Sequence, residues 1–434
     1  MESSIAPGIL LSALLSILLI SGVPIAFVLT FVGVVACVVF IGIGSMAQIT
    51  QAFYGTCSSE ILVCLPLFLF MAEIIVASDV GKDLFEAVKI WTGRLRGGVS
   101  AATLIGCGLF AAVSGSSTAT IAAVGVVALW EMIRIGYDKS FACGSVGVGG
   151  TLGVMIPPSI IMILYGALTD QSIGKLFIAG VVPGIILGVG YVLVAIIRAY
   201  MKHDLAPITA EKLPLRAKLR ASRSVIPFFV IFIAMFWAFY TGVATPTEVA
   251  AVGVLAALII GFAMRRLTWK KIYEATRKAG VTTAFILFII AGAKFFTFTI
   301  SATGISGLLS QFLTGLGLSP IKLVILMMAV YLILGCFIDP AGALTLTIPF
   351  FLPTLIAHNI NLIWFGILVT VNLELAYCTP PFGFNLYILK GIAPPEITMK
   401  NVIMGVLPFL TVDFLLLALV LIFPELALWL PSRM

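Results

Sequence analysis

Long apolar runs separated by short polar stretches make up most of the chain. Read for hydropathy and for Gly/Pro breaks, they fall at 8–21, 23–44, 61–78, 104–134, 141–169, 176–200, 225–241, 246–264, 280–300, 320–356, 361–391 and 401–423. Most hold about 18–25 residues, enough for an α-helix to cross a hydrocarbon core of roughly 30 Å. Three of them, 104–134, 320–356 and 361–391, exceed one crossing and contain internal breakers. The pattern predicts an all-α polytopic membrane protein, and the alternating ten-residue strands of a membrane barrel are absent.

Composition agrees. The 434 residues are 61% hydrophobic and 10% charged, against roughly 25% charged in soluble domains, and mean hydropathy is +1.21. The net charge of +7 comes from basic residues in short inter-helix loops, where membrane topology places them, so no nucleic-acid partner is expected. The seven cysteines are scattered without a CxxC pair, and His203 and His358 stand alone, so neither a disulfide framework nor a zinc site is expected. Sparse carboxylates and two isolated histidines argue against an enzyme. No GxxxxGK[ST] loop supports an ATP-driven pump. The opening "MESSIAPG" lacks the basic region of a cleaved signal, so the first apolar run is expected to persist as a helix.

Charge then fixes parity. Loop 201–224 carries Lys202, Lys212, Arg216, Lys218, Arg220 and Arg223, and loop 265–278 carries Arg265, Arg266, Lys270, Lys271, Arg277 and Lys278. Two short helices separate these loops, so both can face the cytoplasm, as the positive-inside rule asks. The stretches 79–98 and 131–140 are basic as well, whereas 45–60 has no basic residue. All four basic stretches share one face only if 104–134 enters the membrane and returns. Its tip is "SGSST", residues 114–118. The same scheme leaves both termini and loop 45–60 periplasmic.

The two halves echo each other. "GVGGTLGVMIPPSIIMILYG" (147–166) parallels "VNLELAYCTPPFGFNLYILKG" (371–391), and "KLFIAGVVPG" (175–184) parallels "KNVIMGVLPF" (400–409), at offsets of 223 to 225 residues. Upstream, "SGVPIAFVLTFVG" (21–33) resembles "TGVATPTEVAAVG" (241–253), and the counterpart of the first tip is "GCFIDPAGALTLTIP" (335–349). With a hairpin in each half, each repeat crosses about five times. An odd count inverts the second repeat, an arrangement shared by many secondary transporters.

Irregular backbone at membrane depth survives only where protein, water or an ion satisfies its polar groups. The breaks fall at two hairpin tips, 114–118 and 337–343, and in two interrupted helices, 147–158 and 376–384. Hydroxyls and released carbonyls suit a hard cation such as Na⁺, and helix N-termini suit an anionic substrate group. One Na⁺ is therefore expected between tip one and break one, on Ser114, Ser116, Thr118, Gly150 and Thr151. A second is expected between tip two and break two, on Gly335, Asp339, Ala376 and Thr379. An ionisable residue at this depth, Asp339, is a functional candidate by default; the competing role is an ion pair with Lys294. Substrate is expected between the tips, near Ser117, Pro157, Gly342, Thr345, Pro380 and Asn385. Clustering at four breaks, rather than along a continuous pore, favours a transporter over a channel.

"SGSSTATIAAVG", "GGTLGVMIPPSIIMILYG" with its continuation through "LTDQSIGKLFIAGVVPG", and "GCFIDPAGALTLTIPFFLP" with "TPPFGFNLY" resemble the large membrane subunit of TRAP (tripartite ATP-independent periplasmic) transporters over nearly the whole chain. A more distant similarity is to the divalent anion:sodium symporters. Their Ser-Asn-Thr tips match Ser116, Ser117 and Thr118, whereas Asp339 departs from that pattern at tip two. The TRAP resemblance implies a Na⁺-driven elevator in the bacterial inner membrane. Its transport domain would comprise 99–170 and 318–395, and its scaffold and arms 8–98, 171–300 and 396–434. It also implies a small four-helix membrane subunit and a periplasmic substrate-binding protein that delivers an organic anion such as a dicarboxylate, a keto acid or sialic acid. Residues 1–7 leave no room for that subunit, so a separate chain is expected. The alternative is a stand-alone sodium/carboxylate symporter.

Overall fold

The computed structural model describes residues 2–207, 214–223, 225–380 and 383–433. Lys212 and Glu211 of the basic loop and Pro381 of the second proline pair lie outside the described residues. Among the described residues all regular structure is helical.

The chain begins with α1 (Glu2–Ile20), α2 (Ile25–Ala36, extended by π-helical Cys37–Ile41), α3 (Ala47–Cys57), α4 (Cys64–Ala77) and α5 (Val80–Thr92). A hairpin follows. Helix α6 (Gly98–Ser114) turns at Gly115 and Ser116 into α7 (Ser117–Thr120), which continues through a π-helical turn at Ile121–Gly125 into α8 (Val126–Arg134). Next come α9 (Lys139–Met155), α10 (Ile160–Thr169), α11 (Ile173–Met201) and the short α12 (Leu215–Ser222). The second half runs α13 (Ile226–Thr241), α14 (Pro246–Ala263), α15 (Trp269–Ala302), α16 (Ile305–Gly315), α17 (Pro320–Gly335), α18 (Pro340–Ala357), α19 (Leu362–Tyr377), α20 (Phe384–Ile392), α21 (Met399–Ile422) and α22 (Glu425–Leu428). Eight of the described helical stretches are long and apolar enough to cross a membrane.

Local chemistry sets these boundaries. Asp138, Ser159, Asp339 and Asn361 each accept a hydrogen bond from a backbone N–H in the first turn of the helix they precede. Such side chains meet donors that a helix start leaves unpaired. Thr245 and Glu248 form a reciprocal capping box at α14. The element order recurs along the chain: α6 and α17 begin 222 residues apart, α9 and α19 223, α10 and α20 224, and α5 and α16 225.

Each predicted over-long run bends back on itself or breaks. The first hairpin closes at its base, where the Val99 N–H donates to the Tyr137 hydroxyl at 3.3 Å. Burial pushes that hydroxyl's pKa above its ordinary value, which keeps it a neutral acceptor. In the second hairpin α17 packs on α18, and His358, just past α18, lies with Nε2 3.4 Å from Thr314 Oγ1 of α16.

The basic stretches gather on one side. Lys89 pairs with Glu131 at 3.2 Å, and Arg134 with the same carboxylate at 2.7 Å. Arg266 grips Asp83 through both guanidinium nitrogens, and Lys271 donates to the Ala77 carbonyl at 2.7 Å. The Asp138 N–H reaches the Leu205 carbonyl at 3.0 Å, and α12 lies along α5. Segments 79–98, 131–140 and 265–278, with residues 201–207 and 214–223, are thus neighbours in space.

At the centre, α9 is packed between α6 and α21. A Cβ on Gly144 would stand 2.1 Å from the Gly405 carbonyl oxygen, so the α9 and α21 backbones touch there and only glycine fits. Helices α2 and α4 pack on α15, and α4 also on α14.

Several helical stretches differ from the hydropathy reading, α5 and α12 among them. Segment 45–60 contains α3, α16 lies between two apolar runs, and the run expected at 280–300 begins eleven residues earlier, at Trp269. Their sequences mix polar and apolar residues, as in "WKKIYEATRK". Hydropathy averaging passes over such amphipathic helices, although Thr268 caps the start of α15.

Candidate functional site

Tip one is built on glycine and hydroxyls. Gly115 ends α6 in the left-handed region at φ +61°. Ser116, in extended conformation, caps α7: its Oγ accepts from the Ala119 N–H at 3.4 Å and lies 2.9 Å from Thr118 Oγ1. Ser114 Oγ is 3.3 Å from Thr120 Oγ1, which donates to the Ser116 carbonyl at 2.8 Å. Ser117 is buried, and its hydroxyl has no hydrogen-bond partner among the described residues.

The tip sits against break one. A Cβ on Gly115 would fall 2.0 Å from the Pro158 carbonyl oxygen, and one on Gly153 would fall 2.9 Å from the Ser116 carbonyl oxygen. A Cβ on Gly150 would meet the Ile121 side chain at 2.3 Å and lie 3.6 Å from the Ser117 carbonyl oxygen. Ser114, Ser116 and Gly150 are thereby neighbours across the contact between tip and break, and Thr118, which is exposed, joins them through Ser116. Thr151 donates its hydroxyl proton to the Val148 carbonyl at 2.8 Å and lies beside buried Glu374 of α19 rather than in the hydroxyl cluster of the tip. Pro157 behaves differently from its neighbour: it lines an apolar cavity beside α6, α11 and α13, away from the hydroxyl cluster. The peptide between Pro157 and Pro158 is cis.

Tip two has other chemistry. Asp339 caps α18, accepting from the Gly342 N–H at 3.1 Å. Among the described residues it forms no ion pair, so Lys294 is not its partner. Thr345 and Thr347 return their hydroxyl protons to carbonyls of their own helix, at 2.9 and 2.7 Å. A Cβ on Gly335 would stand 2.6 Å from that of Ala376, which brings the end of α17 against the end of α19. Thr379 donates to the Leu375 carbonyl at 2.7 Å, while its own N–H uses the Ala376 carbonyl at 3.1 Å. Pro380 lies half-buried in the turn that follows.

The two halves interlock through the outer pieces of the broken helices. α20 packs on α7 and on the π-helical turn of the first hairpin, and α10 packs on α18 of the second. Asn385, in the first turn of α20, is fully buried, and neither atom of its amide has a partner among the described residues. A buried amide left unpaired costs about 1–3 kcal/mol. Ser117, on the helix that α20 packs against, is likewise buried without a partner for its hydroxyl among the described residues.

One polar group escaped the sequence reading. Asp413 is fully buried on α21, and Tyr191 of α11 donates to its Oδ1 at 2.6 Å. Its Oδ2 and both oxygens of buried Glu374 on the adjacent α19 lack hydrogen-bond partners among the described residues. The signal was present, since a lone acid within the apolar run 401–423 is itself a functional pointer. No group of three or more His, Cys, Asp or Glu side chains among the described residues could hold a metal ion. The donors at both tips are hydroxyls, carbonyls and one carboxylate, which suit a hard cation.

Comparison with known proteins adds the family. The profile described as "Tripartite ATP-independent periplasmic transporter, DctM component" matches residues 12–426. The C4-dicarboxylate TRAP transporter large permease protein of Pseudomonas aeruginosa is 34% identical over 389 residues, covering 89% of this chain and 90% of that one. The sialic acid TRAP transporter large permease protein of Vibrio cholerae is 27% identical, covering 96% of each chain. Among solved structures, the YdaH transporter of Alcanivorax borkumensis superposes with a TM-score of 0.64 at 12% identity over 98% of each chain, a likeness of fold alone.

Proposed function

Since the chain belongs to the DctM-component family of tripartite ATP-independent periplasmic transporters, we propose that it takes up a small organic anion across the bacterial inner membrane by sodium symport. The anion is a carboxylate, the chemistry common to the C4-dicarboxylate and sialic acid in the names of two relatives. A periplasmic binding protein delivers it, and a small membrane subunit completes the permease. Membership of this family places the stand-alone symporter second.

The two halves are inverted repeats. Each contributes a re-entrant hairpin and a broken helix to a transport domain that moves as an elevator against the remaining helices. Supporting this are the recurrent element order, the closed base of the first hairpin, the packing of α17 on α18 in the second and the neighbouring basic stretches, which the positive-inside rule puts on the cytoplasmic side. Cysteines at Arg94 and Lys139, on either side of the first hairpin, are expected to react with an impermeant maleimide from the cytoplasmic face only. Labelling from opposite faces would show that the hairpin crosses.

Na⁺ fits the first tip, where Ser116, Thr118 and the carbonyls about Gly150 and Pro158 gather. It fits the second through Asp339 with Gly335, Ala376 and Thr379. When bound, the cation would offset negative charge brought in by the carboxylate. Ser117 and Asn385 bind the anion with N–H and O–H donors, and helix N-termini beside them favour its charge.

The observation that carries the reading is the buried, unpartnered amide of Asn385 in the helix that packs on tip one. Asn385→Ala is expected to lower uptake at least tenfold while the melting temperature stays level or rises, because an unsatisfied buried amide has been removed. Equal uptake in the variant would take Asn385 out of the site.

A further inference from the structure

An apolar cavity backs the first break. It measures about 620 Å³ and separates the outer face of α6 from α13, with α11 and the α9 break as its floor. Leu104, Gly108, Pro157, Gly188, Val192 and Phe236 are among its lining residues, and no lining residue is charged. A small cleft bounded by Leu84 of α5 and Phe229 of α13 shares Leu109, Ala112 and Phe232 with it, so the groove continues toward the start of α13.

That end carries uncompensated positive charge. Arg223 lies six residues before Phe229, and α12 with Arg216 and Lys218 packs along α5. The helix is pinned there by the Trp91 indole N–H, which donates to Ser222 Oγ at 3.0 Å. Lys218 Nζ stands 5.2 Å from the centre of the Trp91 ring. Trp91 is seven residues beyond Leu84 on the same helix, about 10 Å at 1.5 Å per residue. The basic residues therefore sit a headgroup's reach from the groove. Arg216 and Arg223 are exposed, and among the described residues none of the three cations forms an ion pair.

The corresponding cavity beside α1 lacks this pairing. It is about 260 Å³, lined by Leu11, Leu15, Phe296 and Phe350 among others, and residues 1–20 contain no lysine or arginine.

We propose that the groove between α6 and α13 is a binding site for one anionic phospholipid of the cytoplasmic leaflet, its acyl chain against Pro157 and Gly188 and its phosphate at Arg216, Lys218 and Arg223. Apolar surface alone does not choose among bilayer lipids, because every acyl chain offers the same contacts. The unpaired cations supply the choice. The lipid then fills the space between hairpin one and α13 at the back of the first break. The site goes beyond the transport reading, and only its assignment to the cytoplasmic leaflet rests on the orientation proposed there.

The test is native mass spectrometry of the delipidated full chain with phosphatidylglycerol or phosphatidylcholine of identical acyl chains. Wild type is expected to retain phosphatidylglycerol at least fivefold better. The triple variant R216E/K218E/R223E is expected to bring the two lipids to parity. Gly188→Leu is expected to lower retention of both, and a Cβ there has room, its nearest neighbour being a Leu152 methyl at 4.0 Å. Val189→Trp, on the same wall of the groove, provides a second block if Gly188→Leu is not monodisperse. Equal retention of both lipids by wild type overturns the proposal. So does unchanged retention in a folded groove-filling variant, or loss of the lipid when the small membrane subunit is co-purified, which would make a protein helix the occupant.

Discussion

Gly115→Ala is expected to lower uptake about 100-fold with only a modest loss of stability. Two costs meet at this residue. An L side chain at φ +61° is disfavoured by about 1–2 kcal/mol. The new Cβ would also lie 2.0 Å from the Pro158 carbonyl oxygen, a backbone atom that cannot step aside without moving break one. The tip must therefore withdraw from the break, and the carbonyls and hydroxyls that face each other across it separate. Gly136→Ala is the matched control. It too has positive φ, at +87°, but a Cβ there meets nothing within 4 Å. Uptake and thermal denaturation of both variants separate the two costs: Gly136→Ala keeps its transport, and Gly115→Ala falls by a factor of about 100, equivalent to roughly 2.7 kcal/mol. If the two behave alike, the contact between tip and break does not carry function.

Asp339 permits an equally clean separation of charge from structure. Its side chain caps α18 through the Gly342 N–H, a role that asparagine fills about as well. Asp339→Asn is therefore expected to change stability by less than about 0.5 kcal/mol. Removing the carboxylate from a hard-cation site is expected to raise the sodium concentration for half-maximal uptake at least tenfold. Asp339→Ala should share the sodium defect and add the loss of the cap, about 1 kcal/mol. A wild-type sodium titration in Asp339→Asn would reduce this residue to a helix cap.

What the sequence made legible follows from how membranes punish irregular backbone. Glycine, proline and hydroxyl residues inside apolar runs have few benign explanations at that depth. The turn at Gly115–Ser116, the break at Ile156–Ser159 and the end of α19 at Tyr377 stand where those residues cluster. The grouping of Lys89, Arg134, Arg266 and Lys271 on one side was legible because loop charge alone reports topology. Helices α3, α5 and α16 were not legible, since short amphipathic segments leave no hydropathy peak. Pro157 shows another limit. Sequence places it in the break, yet only the packing of α6, α11 and α13 reveals that it faces an apolar groove while Pro158 meets the tip. The partnership of Tyr191 with Asp413 spans 222 residues, and no local pattern pairs them.

On the function proposed above, a sodium gradient drives uptake through these breaks. The direct measurement is uptake of a labelled carboxylate into proteoliposomes containing this chain and its small membrane subunit, with the cognate binding protein added outside. Accumulation above the external concentration is expected when sodium is high outside and low inside, with none when sodium is absent. Undiminished accumulation in sodium-free, potassium-equilibrated vesicles would contradict the account.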